Sequence, residues 1–352
     1  MEKNEQMFFS ENPEFDIWNN LKNYSYNEYL TNFFNHRKVN FDERLLETIS
    51  GSISQSFEYF EASKVVSIQT APLFLYYGSI NLLFAACCLK KGKIVEVSGH
   101  GMSLKKDTLD FKDLLNTEVD IHNNKGAGFA LYFNILSEGN INQKFSLKLE
   151  EIFSSLPELY REFFNINKHR KLQILPLIRM ISDDFEVYKS QLKTTQYDYS
   201  EDIEKSKNFK NTFLDSQKNG DNELLFYLRL GANSNIRKSF LGDYYLPLEV
   251  RDTPIIESMF LGIIALYVLA TIGRYHTNVW SLFIKNNKNG LVNFIEKFLN
   301  VMRRYFPNYI LDNIEGKKHK FTNEIVSTED YRSQMSEKEL EGKIRNIMNG
   351  LR

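Results

Sequence analysis

Residues 71–89, APLFLYYGSINLLFAACCL, pass nineteen positions without a charged side chain, and any fold of this chain must hide that run. By length alone it would just cross a bilayer. Its internal chemistry points elsewhere. Pro72, Gly78, Ser79 and Asn81 put backbone breakers and amide polarity inside the run, and Tyr76 and Tyr77 sit near its middle instead of at its ends, where an interfacial belt would lie. An apolar helix at the centre of a helical bundle accounts for both facts. Pro72 suits a first helical turn, and Lys90, Lys91 and Gly92 close the segment as C-terminal charges and a C-cap glycine. A second apolar run, Met259 to Ile272, is too short to span and leads into Arg274.

A helix buried all round needs a large surrounding body. With 352 residues, 42% of them hydrophobic and 14% aromatic, the chain can build one, as two or three domains or as one enlarged domain. Lys+Arg number 44 against 45 Asp+Glu, a formal charge of -1. No global field draws in a polyanion, so nucleic-acid contact needs a local patch, with Arg274 and the Lys90-Lys91 and Arg303-Arg304 pairs as its places. The start, MEKNEQMFF, lacks the basic and apolar regions of a secretory signal. Cys87 and Cys88 are neighbours on a helix, where their side chains diverge from disulfide geometry. The expectation is a cytoplasmic protein that does not enter a membrane.

Apolar spacing predicts helices over 14–33, 41–63 and 73–89. Between 93 and 145 the period becomes extended. Lys93 to Val97, Val119 to His122 and Phe129 to Asn134 read as strands of a small antiparallel insert, the last two separated by the turn-forming Asn123 to Gly128. Helix returns over 146–164, where Ser155-Leu156-Pro157-Glu158 reads as a capping box restarting the chain after a bend. Residues 196–222 are polar and read as a connection, and 223–250 alternate loosely enough for two strands. Two helices are expected from 254 to 311, one ending near His276 and one stopped by Pro307. In the charged tail a second capping box, Ser336 to Glu339, precedes an apolar stripe of Leu340, Ile344, Ile347 and Met348. That pattern predicts a terminal helix able to join two copies of the chain.

The fold class is therefore α+β, predominantly α, a helical bundle with a small antiparallel β insert. Its expected divisions are a helical region 1–195 holding the insert at about 93–145, a polar connection 196–222, a helical region 223–312 packing on the first, and the tail 313–352.

No strong catalytic signature is present. Gly126-Ala127-Gly128 lacks the third glycine of a dinucleotide fingerprint and the helix that should follow it, and Walker A, HExxH, CxxC and GxSxG patterns are missing. The six histidines are scattered, so neither a cofactor nor a metal is expected. Three constellations stand out. In Tyr76-Tyr77-Gly78-Ser79-Ile80-Asn81, buried hydroxyls and an amide must find partners, by tying helices together or by lining a ligand site. Gly99-His100-Gly101 sets a histidine between flexible residues, suited to proton transfer near neutral pH or to capping a loop. Arg274-Tyr275-His276, followed by Trp280, ends an apolar helix; Arg274 there can satisfy helix carbonyls and stack on Trp280, or bind an anion. His100 and Arg274 are the candidate catalytic residues, and Tyr77, Asn81, Tyr275 and Trp280 the candidate ligand-binding residues.

The same segments carry a resemblance. Ala71-Pro72-Leu73-Phe74-Leu75-Tyr76-Tyr77-Gly78 with Asn81-Leu82, then His100-Gly101, Gly126 to Phe129, Leu156-Pro157-Glu158-Leu159, and Ala270 to Trp280 with its Arg274-Tyr275 follow one another in the order and rough spacing of the YaaC-like proteins of bacteria. The chain resembles that family over about 15–311, with His276 in place of an acidic residue. The resemblance implies a bacterial cytoplasmic protein without an assigned reaction. The core helix is also distantly similar to the first long helix of the HEPN superfamily, compact helical domains that often act as metal-independent RNases in toxin and antiphage systems. Their catalytic pattern, Arg followed four to six residues later by His, occurs at no histidine of this chain. A HEPN-like fold would then imply a binding role in which the standard catalysis is lost. Two functions follow. One is a binding or regulatory module for a nucleotide, RNA or protein partner, with Arg274 and His100 shaping a pocket. The other is a nuclease or nucleotide-directed enzyme of antiphage defence, with His100 as acid/base and Arg274 stabilising phosphate charge.

Overall fold

The computed structural model describes residues 5–167, 172–181, 185–190, 215–218, 224–229, 236–248, 253–286 and 290–322. After a strand β1 (Glu5–Phe9) come four helices, α1 (Pro13–Asn23), α2 (Asn27–His36), α3 (Glu43–Val65) and α4 (Ala71–Lys91). The single helix expected over 14–33 is two. The N–H groups of Tyr24, Ser25 and Tyr26 turn back onto the carbonyls of Leu21, Lys22 and Asn23, which ends α1 and drops the Tyr24 ring into the core against Tyr29 and Phe33. Asn12 caps α1 through the Phe15 N–H and Asp42 caps α3 through the Leu45 N–H, the side-chain acceptors that free helix donors require. Gly92, at φ +64°, closes α4.

The insert is a three-stranded antiparallel sheet, β2 (Met102–Leu104), β3 (Glu118–Ile121) and then, beyond helix α5 (Gly128–Leu136), β4 (Phe145–Lys148). Ile121 stands opposite Met102 on one side and Phe145 on the other. Two of the expected strands are not strands. Residues 93–97 run irregularly, because the sheet edge they would extend is taken by Met102–Leu104 and the backbone that follows them pairs with the Gly126 loop instead. Residues 129–134 belong to α5. A short unbroken apolar run fits a buried helix and a buried strand equally well by period, and here Phe129, Ala130, Tyr132, Phe133 and Leu136 are buried on one face of a helix while Asn134 is exposed.

Helices α6 (Leu149–Ser154) and α7 (Tyr160–Ile166) meet at the expected bend, without the expected capping box. Ser155 instead closes α6, its hydroxyl donating to the Glu151 carbonyl at 2.6 Å, and Glu158 is buried, accepting the Phe240 N–H at 3.2 Å. A second sheet lies outside the insert. Its six antiparallel strands, β5 (Ile174–Ile181), β6 (Phe185–Ser190), β7 (Asp215–Lys218), β8 (Leu224–Arg229), β9 (Arg237–Lys238) and β10 (Tyr244–Pro247), are ordered β7-β8-β6-β5-β10-β9. The sequence pattern suggested two strands in 223–250 and none in 174–190. Residues 215–218, assigned to the polar connection, form a strand; 196–214 lie outside the described residues.

Three helices, α8 (Ser258–Tyr275), α9 (Thr277–Lys285) and α10 (Leu291–Glu315), replace the expected two, α9 starting directly after His276. Pro307 lies inside α10 and does not stop it. Burial of Phe306, Ile310, Leu311 and Ile314 at about 2 kcal/mol each outweighs the ~3 kcal/mol that a mid-helix proline costs. The expected charged tail begins as the last turn of α10 and a strand, β11 (Lys318–Thr322), parallel to β1. The helix predicted from Ser336 to Met348 lies outside the described residues, and with it the association it was expected to offer.

Helix α4 occupies the centre, against α3, α5, α8 and α10. The Ser56 hydroxyl donates to the Gly78 carbonyl at 2.8 Å across the α3–α4 contact. Helices α4 and α8 are each long and apolar enough to cross a membrane, yet 67% of the most apolar stretch of each is buried inside the protein. One cluster of buried apolar side chains runs from Ile17 to Ile314, so the earlier and later helices share a core. The architecture is α+β and predominantly helical.

Candidate functional site

Two loops far apart in sequence interlock beside the α4–α8 pair. The Ser98 N–H donates to Gly126 O at 3.0 Å, the Gly128 N–H to Gly99 O at 2.9 Å and the Phe129 N–H to His100 O at 2.9 Å, while the His122 N–H donates to Gly101 O at 2.9 Å. Residues 98–102 thus form a strap laid across the start of α5. Glycine is required where the backbones touch. Gly101 has φ +74° and a Cβ there would lie 3.0 Å from the Ala127 carbonyl carbon; a Cβ on Gly128 would lie 2.8 Å from Gly99 O. A helix does follow Gly126-Ala127-Gly128, contrary to expectation, but the loop is no phosphate cradle. The Gly128 and Phe129 N–H groups that an anion would need already donate to the strap.

The strap presents His100 to an aromatic cluster. Its Nδ1 is 2.7 Å from the Tyr76 hydroxyl, and its ring packs 5.4 Å from Tyr76 and 5.8 Å from Tyr267. Tyr267 in turn donates its hydroxyl to Met102 O at 2.9 Å, tying α8 to the end of the strap. Tyr76 is buried, and burial pushes its phenol well above the usual range, so the hydroxyl keeps its proton. His100 is exposed at its outer edge; the packed inner edge and the positive charge of Arg274 both lower its pKa, which makes the imidazole neutral at pH 7. A buried hydroxyl that donates to Nδ1 leaves the single imidazole proton on Nε2.

Arg274, in the last turn of α8, completes the group. Its guanidinium donates to the Tyr77 hydroxyl at 2.5 Å and lies 4.9 Å over the ring of Tyr275, itself 65% exposed. Among the described residues it has no carboxylate partner. His100, Arg274, Tyr77 and Tyr275 are therefore one surface group built from three segments, and Tyr76 and Tyr267 stand behind it. Those two are the members that sequence reasoning did not place in the site. The available signal for Tyr76 was its position inside an uncharged helix, where a hydroxyl must find a partner.

Two candidates fall outside. Asn81 donates to Gln55 Oε1 at 3.2 Å and ties α4 to α3. Trp280 is buried; its indole N–H donates to Gln69 O at 3.2 Å, and its ring stacks on Phe283, so Arg274 uses Tyr275 and not Trp280. The Arg303-Arg304 pair is also spent within the fold. Arg303 donates to the hydroxyl and carbonyl of Ser63 near the end of α3, and Arg304 packs over Tyr305 and Phe321.

A second titratable group lies at the far end of α10. His319 on β11 is buried between Asp312 Oδ1, 2.8 Å from Nδ1, and Glu315 Oε2, 3.1 Å from Nε2, with the Phe8 ring of β1 stacked on it at 5.2 Å. Burial opposes the imidazolium, but the two carboxylates outweigh it and raise the pKa to about 9. No set of three or more His, Cys, Asp or Glu among the described residues is arranged to hold a metal ion.

A family model described as YaaC-like Protein matches residues 15–314, which include the strap, Tyr76, Tyr77 and the Arg274 segment. No curated protein and no solved structure matches the chain.

Proposed function

The chain belongs to the YaaC-like protein family, and on that premise we propose that it is a binding or regulatory module that takes an anionic group, such as the phosphate of a nucleotide or RNA, on the face formed by Arg274 and His100. One observation carries this reading. An exposed guanidinium, fixed by the Tyr77 hydroxyl and the Tyr275 ring, has no carboxylate among the described residues to satisfy it. A guanidinium so placed offers its remaining N–H donors to a phosphate or carboxylate at little ordering cost. With Tyr76 donating to Nδ1, His100 adds an Nε2–H donor, and both groups then suit a ligand that only accepts. Titration calorimetry with inorganic phosphate, nucleoside monophosphates and short RNA tests it. Arg274→Ala is expected to weaken binding at least tenfold without altering the ligand; binding unaffected by that change sinks the reading.

The closeness of an arginine and a histidine in a helical body supports a second reading, a nuclease or nucleotide-directed enzyme of antiphage defence. Against it, the Nδ1 partner of His100 is a phenol and not a carboxylate, and an Nε2–H tautomer donates where a general base must accept. Turnover of RNA or nucleotide that is abolished by His100→Ala and Arg274→Ala would favour the enzyme over the module.

A further inference from the structure

Tyr77 joins Arg274 to a row of aromatic rings along the seam between α3 and α4. On α4, Phe74, Tyr77 and Asn81 stand three and four residues apart and share one face; on α3, Gln55 and Tyr59 do the same. Gly78 lets the two faces meet, since a Cβ there would lie 3.0 Å from Tyr59 Cβ. The Tyr59 ring consequently lies 6.1 Å from that of Tyr77 on one side and 6.1 Å from that of Phe74 on the other, tilted by 32° and 48°. All three rings are half-buried, and neither Tyr59 nor Phe74 packs against the buried apolar core. Beyond Tyr77 the row continues in amides. The Asn81 tie to Gln55 uses one donor and one acceptor, and leaves Asn81 Oδ1 and Gln55 Nε2 without a partner among the described residues.

Rings that the core does not use are open to a flat ligand, and a nucleobase stacks on an aromatic face whatever its identity. The amides at the end of the row present one acceptor beside one donor, which a base edge can answer with a donor and an acceptor of its own. An aliphatic chain laid there would strip both amides of water and return no hydrogen bond. The cation is part of the same surface. The Tyr77 hydroxyl accepts from Arg274 Nη1 at 2.5 Å, so a ligand resting on the Tyr77 ring has its anionic group beside the guanidinium. We propose that the anion held by Arg274 is the phosphate of a nucleotide unit whose base stacks on the row of Tyr77, Tyr59 and Phe74. This inference rests on the anion-binding reading above and adds the base to it. A free nucleotide and a single strand of RNA share the chemistry, and the test separates them.

Titration calorimetry on the full chain compares inorganic phosphate, ribose 5-phosphate, the four nucleoside 5′-monophosphates and a six-nucleotide single-stranded RNA, with wild type, Tyr59→Leu, Phe74→Leu and Arg274→Ala. At least one ligand carrying a base is expected to bind about tenfold tighter than ribose 5-phosphate, the worth of one base stacked on a ring. Tyr59→Leu should bring that ratio to about one while phosphate affinity stays unchanged, which also shows that the variant is folded; Phe74→Leu gives the same readout should Tyr59→Leu fail to fold. The RNA binding at least tenfold tighter than every monophosphate, and losing that margin in both leucine variants, identifies a strand with successive bases on the row; equal affinities identify the free nucleotide. Base-carrying ligands and ribose 5-phosphate binding equally, all dependent on Arg274, overturns the row's role and leaves the anion site standing. A base advantage that survives both leucine variants does the same. If nothing binds, the anion-binding reading fails and this inference with it.

Discussion

His100 and His319 carry the same side chain into opposite surroundings, and only one of them ends neutral, as packing alone would make both. His319 is buried, yet it is the protonated one, because Asp312 and Glu315 stand on its two ring nitrogens. His100 is the neutral one, because the packing of its inner edge and the positive charge of Arg274 both lower its pKa, and its partner is a phenol instead of a carboxylate. Packing pushes both imidazoles towards the neutral form, and the pair of carboxylates at His319 is what reverses it. One histidine is thereby a structural clamp joining β1, α10 and β11, and the other is left as a donor at the surface.

The contrast is broken most severely at the clamp. His319→Leu leaves Asp312 buried without its cation and Glu315 with Lys317 alone, and is expected to destabilise the protein by about 3 kcal/mol in urea denaturation near neutral pH. The sign of the pH dependence follows from a folded pKa raised to about 9 over an unfolded value of about 6.5. The clamp contributes fully below about pH 6.5, and its contribution is lost as pH rises through about 9. Glu315, whose pKa is lowered, acts in the opposite sense and loses its contribution as pH falls through its folded value. A wild-type advantage over the variant that stays constant up to pH 10 would show that His319 is not held charged.

The strap is the next largest effect. Gly101→Ala forces a side chain into a left-handed backbone conformation beside Ala127 and should cost about 1–2 kcal/mol, with weaker phosphate binding as His100 moves off Tyr76. Equal affinity in that variant would detach His100 from the site. Tyr76→Phe is expected to cost about 1 kcal/mol. Its sharper readout is the nitrogen NMR spectrum of His100, which should pass from one dominant Nε2–H form to a mixture of tautomers. The smallest stability change belongs to Arg274→Gln, within about 0.5 kcal/mol for an exposed position. Removal of its charge should nonetheless let the His100 pKa rise towards the ordinary value in a proton NMR titration; an unmoved pKa would separate the two groups.

Much of the helical body was legible in the chain. Periodicity located α3 and α4 closely because each buries a face long enough for the pattern to repeat, and Gly92 ended α4 where a C-cap glycine should. Phe129 to Asn134 was misread because a six-residue apolar run carries no period, and Pro307 because a local cost was weighed without the burial that overrides it. The six-stranded sheet was largely missed. Its strands are short and pair across long separations, as Tyr244 does with Leu177, and no local pattern specifies such a partner. Within the site, His100, Tyr77, Tyr275 and Arg274 were found as local oddities, whereas Asn81 and Trp280 proved to be internal ties.

From residues alone came the need to bury 71–89, the predominance of helix and the kinds of side chain able to carry an anion site. These are local properties, set by apolar spacing, capping chemistry and side-chain type. Tertiary structure alone decided that Tyr76 and not a carboxylate meets His100, that Arg274 turns to Tyr77 and Tyr275, and that His319 is charged where His100 is not. Tyr76 meets His100 and Arg274 meets Tyr77 across separations of 24 and 197 residues, while His319 meets Asp312 only seven residues away across a turn whose geometry no local pattern fixes, and the protonation of an imidazole depends on charges within a few ångströms in space, wherever they lie in sequence.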